Sequence, residues 1–134
     1  MVEAPTITVT ALCLLDGTDR LLLVRKRGTT RFMQPGGKPE PGETPAETLA
    51  RELEEELGLR CAASTLRSLG KFRASAANEP GFVVVADVFE AEIGEQIPVA
   101  AAEIAELRWV GADEADEFDV APLAREYFLP AAPT

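Results

Sequence analysis

The sequence predicts an α+β domain organised on a mixed sheet. Three observations carry this. Apolar, β-branched runs of strand length recur at 6–15, 21–24, 82–91 and 103–110. One helix, with signals at both ends, separates the first two runs from the last two. Helical patterns return near the C-terminus, so strands and helices follow one another in an order that packs helices against a sheet.

Taken in order, residues 6–15 (TITVTALCLL) alternate partly and read as a strand. Asp16-Gly17 signals a turn. The fully apolar 21–24 (LLLV) reads as a buried strand paired with the first in a hairpin. Arg25-Lys26-Arg27-Gly28 is the densest basic cluster of the chain, and 28–31 form a loop. Phe32 to Gly37 is a short extended piece entering a tight turn, with Phe32 assigned to the core. Thr44 is an N-cap, Pro45 sits at the favoured first helical position, and Glu47 completes a capping box. The helix runs through Ala, Leu, Glu and Arg to Leu57, and Gly58 stops it.

Beyond the helix, 61–64 and 66–73 read as an edge strand, a turn and another strand. A loop covers 75–81 (SAANEPG), and 82–91 (FVVVADVFEA) is the clearest central strand, with Asp87 facing outward. Residues 92–102 form a loop expected at the rim of a cleft. The last strand is 103–110, with Trp109 in the core. Helices follow at 113–118 and 122–128, the second burying Leu123, Tyr127 and Phe128. About 130–134 is an Ala- and Pro-rich tail, and 1–134 reads as one domain.

Composition excludes several functions. The net charge of -10 argues against a nucleic-acid polymer as partner, because phosphate backbones demand a basic surface. It permits a small phosphate ligand, since a bound cation inverts the local field. With no histidine, His-based acid–base chemistry, His-containing triads and His-rich zinc sites are all excluded. Cys13 and Cys61 have no metal or redox spacing and read as reduced, buried thiols. No apolar run is long enough to span a membrane, and no leader pattern opens the chain. A cytoplasmic location is the expectation.

The helix carries the strongest chemical signal. Ala46, Leu49, Ala50, Leu53 and Leu57 share one arc. Glu52, Glu55 and Glu56 share the neighbouring arc at i, i+3 and i+4, where like charges repel by about 0.2–0.5 kcal/mol per pair. Three carboxylates at the edge of a core make sense around a divalent cation, and hard oxygen ligands suit Mg²⁺ or Mn²⁺. The plainer alternative is a solvated acidic face.

The spacing of Gly37, Glu43, Arg51-Glu52-Leu53, Glu55-Glu56 and Gly58-Leu59 resembles the Nudix box at every fixed position. That resemblance implies the Nudix fold, a mixed β-sheet sandwiched between α-helices. It also implies hydrolysis of a nucleoside diphosphate linked to another moiety. Glu55 and Glu56 match metal ligands, and the carbonyl of Gly37 matches another. Glu52 matches a residue that is a ligand in some members and a proposed base in others. Arg25 matches an arginine that contacts substrate phosphate, which a guanidinium fork suits. Lys38 either steadies a phosphate or faces solvent.

Arg51 joins the catalytic set as the side chain that holds Glu52 or Glu43 in its rotamer. The general base is expected beyond the box. Glu103 ranks first because it opens the last strand, with Glu106, Glu92 and Glu95 behind it. The expected reaction is metal-dependent cleavage of a nucleoside triphosphate, oxidised forms included, to monophosphate and pyrophosphate. ADP-sugars and dinucleoside polyphosphates are the alternative substrates. Ser75 stands where some of those branches carry Pro or Tyr. A non-catalytic nucleotide sensor is the alternative of a different kind, and the intact box glutamates favour the enzyme. The resemblance leaves a homodimer open.

Overall fold

The computed structural model describes residues 4–129. The tail expected at about 130–134 lies outside the described residues. The larger sheet has four strands in the order β3-β1-β5-β4. These are β1 (Thr6–Cys13), β3 (Gly36–Gly37), β4 (Arg67–Ser75) and β5 (Val83–Glu90). β1 and β5 run parallel, with Thr6 beside Val83 and Cys13 beside Glu90; the other pairings are antiparallel. The sheet is therefore mixed, as expected. A second, two-stranded sheet pairs β2 (Leu21–Lys26) with β6 (Ile104–Val110).

The hairpin expected between the first two strands exists only at its turn. The Asp16 carboxylate accepts from the Thr18 and Arg20 amides, and Leu15 bridges Leu21. Beyond that bridge the strands part. β1 joins the larger sheet, and β2 takes β6 as its partner, Leu21 beside Val110.

Helix α1 (Pro45–Leu57) matches its expected bounds. The Thr44 hydroxyl accepts from the Glu47 amide at 3.2 Å, and the Glu47 carboxylate accepts from the Thr44 amide at 2.8 Å. Gly58 adopts a left-handed conformation (φ 67°) that few other residues would tolerate. Leu49, Leu53 and Leu57 are fully buried against Leu12 and Phe89 of the larger sheet and Leu22 and Val24 of the smaller one. The opposite face of the larger sheet, with Ala11, Ala86 and Val88, is covered by Leu123 and Phe128. Helical elements thus pack on both faces. A third cluster joins Leu21, Leu23 and Val110 to Phe32 and Val120, and Phe32 meets Phe118 edge to face at 5.6 Å.

Several local expectations are corrected. Residues 61–64 form no strand: a 3₁₀ turn at Ala63–Thr65 leads directly into β4. β4 is the edge strand and largely exposed, while β5 is central as expected. The 92–102 loop does not border the cleft described below. It packs on the end of α1, where the Val99 and Ala101 amides donate to the carbonyls of Leu57 and Glu56. These are orphan acceptors of the last helical turn. Trp109 is half-buried on the flank of the first cluster, and Cys13 and Cys61 are free and half-buried. The C-terminal helices are a 3₁₀ turn at Ala112–Glu117 and a wide turn at Ala124–Phe128, closed by a Leu129 to Ala124 hydrogen bond. Tyr127 stays exposed, its hydroxyl donating to the Arg73 carbonyl at 2.9 Å. Asp87 does not face out as expected: it shares the α1 side of the sheet with Phe89, its side chain is only 17% exposed, and it lies 3.0 Å from Lys71 on the neighbouring strand.

Candidate active site

The site begins with two glycines that no other residue could replace without displacement. Gly36 has φ 149°, and a Cβ there would overlap the carbonyl of Thr10. A Cβ on Gly37 would fall 2.5 Å from the carboxyl carbon of Glu52. The turn therefore presses backbone directly onto a helix carboxylate. Thr10, paired with Gly37 across β1 and β3, donates its hydroxyl to the Gly37 carbonyl at 3.3 Å.

Arg51 is the hub of the helix side. It grips Glu43 with two hydrogen bonds, 2.7 and 3.0 Å, and Glu52 with one of 2.8 Å. It also donates to the Lys38 carbonyl at 3.2 Å. The expected role of Arg51 in holding Glu43 and Glu52 is thus realised for both. The guanidinium holds the Glu43 carboxyl well below the usual range, at about 2. Burial raises the pKa of Glu52, and Arg51 opposes that shift.

Glu56 is 2% exposed. One carboxylate oxygen accepts from the Gly36 amide at 3.2 Å, and the other is buried with no partner. Burial pushes its pKa up to about 7, despite the Gly36 hydrogen bond. Glu55 is exposed and lies 3.8 Å from Arg51. The three carboxylates share one flank of α1, but the convergence expected from their spacing is not realised. Among the described residues no three acidic or cysteine side chains gather closely enough to grip an ion as they stand. Each has its own neighbour: Arg51 for Glu52, the Gly36 amide for Glu56, and water with Arg51 for Glu55.

Lys26 and Glu103 face this flank from the smaller sheet, with Lys26 Nζ 3.4 Å from Glu103 Oε1. The expectation for Arg25 is corrected. Arg25 pairs with Glu106 at 3.3 Å and donates to the Thr29 carbonyl at 2.9 Å, and it does not line the cleft. Side chains alternate along a strand. Leu22 and Val24 face α1 while Leu21 and Leu23 face the other cluster, so Lys26 goes with the first pair and Arg25 with the second. That parity was the signal that could have picked out Lys26. Glu106 is held by Arg25 and Arg108, away from the cleft, and Glu92 and Glu95 do not line it. Of the four base candidates, only Glu103 reaches the site.

These residues border a cleft of about 430 Å³. Lys26, Lys38, Arg51, Glu52 and Glu103 line its charged end. Ile7, Val9 and Ala11, alternate residues of β1, continue it with Val84 and Leu123 as an aliphatic wall. Gln34, Ser75 and Asn78 supply polar groups along it. The Gln34 amide donates to the Leu12 carbonyl at 2.9 Å, which turns its own oxygen away, buried and unpartnered.

The donor set fits a hard divalent cation. The orphaned buried oxygen of Glu56 calls for a compensating proton or cation. Glu52 and Glu55 lie on the same flank, and Gly37 leaves no side chain between its backbone and Glu52. All are oxygen donors, the kind Mg²⁺ and Mn²⁺ take.

The sequence pattern of the NUDIX domain family matches residues 4–131. An uncharacterised Nudix hydrolase of Pseudomonas aeruginosa is 36% identical over 96 residues, covering 66% of this chain and 54% of that protein. A human protein named 8-oxo-dGDP phosphatase is 42% identical over 60 residues, 41% of this chain and 18% of that protein. The chain thus spans about half the length of the first relative and under a fifth of the second. Among solved structures, the MutT protein of Methanosarcina mazei superposes with a TM-score of 0.67 at 23% identity, covering 97% of this chain and 88% of that one.

Proposed function

The chain belongs to the NUDIX domain family, and from that premise we propose that it is a Mg²⁺- or Mn²⁺-dependent pyrophosphohydrolase of nucleoside diphosphate derivatives. The favoured substrate is a nucleoside triphosphate, oxidised forms included. One observation carries the reading: the Glu52 carboxylate rests on Gly37 at the charged end of a cleft whose other end is aliphatic. Such a cleft suits a ligand with phosphates at one end and a nucleoside at the other. The partial match to a human protein named for 8-oxo-dGDP supports an oxidised nucleotide with linked phosphates, although that name is of a diphosphate rather than a triphosphate.

Each residue has a task. Glu52, Glu55 and Glu56, with the Gly37 carbonyl, would hold the metal. When bound, it neutralises phosphate oxygens and lowers the pKa of a water. Arg51 fixes Glu52, and Glu43 fixes Arg51. Lys26 and Lys38 contact phosphate, in place of the Arg25 expected from sequence. Glu103 takes the proton of the attacking water as its oxygen bonds to phosphorus. The phosphoanhydride bond breaks, and the pyrophosphate leaves with the bonding pair.

No helix among the described residues is long and apolar enough to cross a membrane. Two free, half-buried thiols suit a reducing compartment, and we place the protein in the cytoplasm. A panel of nucleoside triphosphates (8-oxo-dGTP among them), ADP-ribose and dinucleoside polyphosphates tests the proposal, with Mg²⁺ or Mn²⁺ and beside Glu55→Gln. Turnover of a triphosphate to monophosphate and pyrophosphate, lost in the variant, is the expected result. Nucleotide binding without turnover of any compound would overturn it in favour of a sensor.

A further inference from the structure

β3 runs antiparallel to β1, with Gly37 beside Thr10 and Gly36 beside Ala11. The same register, carried back along the chain, sets Pro35 opposite Leu12 and Gln34 opposite Cys13. The Leu12 amide donates to the Pro35 carbonyl at 2.8 Å. Pro35 has no N–H to return, which would leave the Leu12 carbonyl without its ladder partner. The side chain of Gln34 fills that gap, its Nε2 donating to the Leu12 carbonyl at 2.9 Å. This bond fixes which way the amide points, because only its nitrogen end can donate. The other end, Oε1, is therefore an acceptor held in one place. It is buried and unpartnered, on a residue only 5% exposed.

Side chains directly opposed on paired strands share a face, and those two residues apart on one strand do too. Gln34 thus stands on the side of the sheet that carries Val9 and Ala11, the aliphatic wall of the cleft, and it lines that cleft. No aromatic side chain among the described residues lines it. Stacking on an aromatic ring, which every base offers, is therefore not what holds a base here, and selection falls to polar contacts.

We propose that Gln34 selects the nucleobase: its Oε1 accepts a hydrogen bond from an N–H of a base seated against the aliphatic wall. This rests on the nucleotide-hydrolase reading above and names what that site distinguishes. Water does not reach the oxygen, so its donor must arrive on a group that itself fits an apolar wall, as the flat edge of a base does. The free protein already carries the desolvation cost of this acceptor. A base that supplies the donor gains a buried hydrogen bond without displacing a water from the protein, and a base that lacks it gains nothing. A site built on such a bond discriminates better than one built on apolar fit. Every natural base carries some N–H, so what Gln34 reads is where the donor lies.

The test compares nucleotides that differ by one donor, in the wild type and in Gln34→Leu. GTP with ITP, ATP with purine riboside triphosphate, and CTP with its 4-deamino analogue each differ by an exocyclic amine. GTP with N1-methyl-GTP, and UTP with N3-methyl-UTP, differ by a ring N–H. In the wild type, loss of the donor from the preferred nucleotide should lower kcat/KM by about tenfold or more in one of these pairs. In Gln34→Leu that ratio should fall below about twofold. A Gln34 that served only to pair Leu12 would, when replaced, slow every nucleotide alike and leave the ratio where it was. Thermal melts establish that the variant is folded, and Gln34→Met, which fills the same volume, takes its place where Gln34→Leu is not. An unchanged ratio in a folded variant overturns the inference and leaves the hydrolase reading standing, as does a wild type indifferent to every pair. Where the wild type binds nucleotides but cleaves none, dissociation constants from calorimetry give the same ratio. Donor dependence of binding that disappears in Gln34→Leu then supports Gln34 while the hydrolase reading falls. Neither binding nor cleavage of any nucleotide overturns both.

Discussion

The carboxyl carbon of Glu52 lies 2.5 Å from where a Cβ on Gly37 would be. A methyl group at residue 37 must therefore move the carboxylate, which is the end of a flexible side chain, before anything else. Gly37→Ala is expected to lower kcat/KM on the order of 100-fold, since a displacement of about one ångström suffices for that. It should cost less than about 2 kcal/mol of stability. Steady-state kinetics beside a urea melt checks both. An unchanged kcat/KM would remove Glu52 from the chemistry.

Arg25 and Lys26 are adjacent in sequence and opposite in duty. Arg25→Met should leave KM for nucleotide within about twofold and lower stability by about 1 kcal/mol, by leaving Glu106 with Arg108 alone. A large rise in KM would restore Arg25 to the phosphate site.

The Glu43–Arg51 clamp predicts a pH dependence with a definite sign. The Glu43 pKa is about 2 in the folded chain, against about 4.3 when unfolded. A depressed folded pKa stabilises fully above the unfolded value, and that stability fades as pH falls through about 2. Glu43→Gln should therefore be less stable than the wild type at neutral pH, with the gap closing towards the acid limit. Urea midpoints of the two proteins across this range report it, and a constant gap would refute the clamp.

Metal binding should register in stability as well as turnover. Mn²⁺ at 100 times its dissociation constant should stabilise the fold by about 2.7 kcal/mol. Glu56→Gln should abolish most of this, having lost its buried charge. Chelator should stop turnover while leaving the far-ultraviolet spectrum intact, because α1 is capped and packed by the chain itself. Thermal scans with and without Mn²⁺ provide the readout.

Thr44 anchors the start of the site helix through one hydroxyl. Thr44→Ala should cost about 1 kcal/mol. Thr44→Ser should recover most of it, and paired thermal melts would show whether it does.

The α1 helix was legible to the residue because its signals are local: Thr44 and Glu47 cap one end, and Gly58 closes the other. β5 was legible for the same reason, as its apolar run is long and bounded. The partner of β2 was not. Leu21 to Val24 is apolar on both faces, so no alternation names a neighbour, and the pairing with β6 spans most of the chain. Arg25 stands out in the sequence by its match to a family arginine just before the box, and nothing local sets Lys26 above it. The facing of a strand depends on parity, which the packing of Leu22 and Val24 against α1 decides. The spread of Glu52, Glu55 and Glu56 was also hidden, since equal spacing on a helix says nothing of which neighbours each carboxylate finds. The place of Glu103 on the cleft was legible, because the residue just before a strand and beside a loop is a position as well as a residue type.

The exposed edge of β4 bears on how copies of this chain meet in concentrated solution. A two-fold pairing of that edge with itself, centred on Gly70, would set Arg67 opposite Arg73 and Lys71 opposite Leu69. Like charges directly opposed destabilise such a ladder. Tyr127 already occupies the Arg73 carbonyl. Sheet-to-sheet growth is thus discouraged by the strand's own lysine and arginines. The chain carries an open template for polymerisation and, on the same nine residues, the charges that keep it from being used.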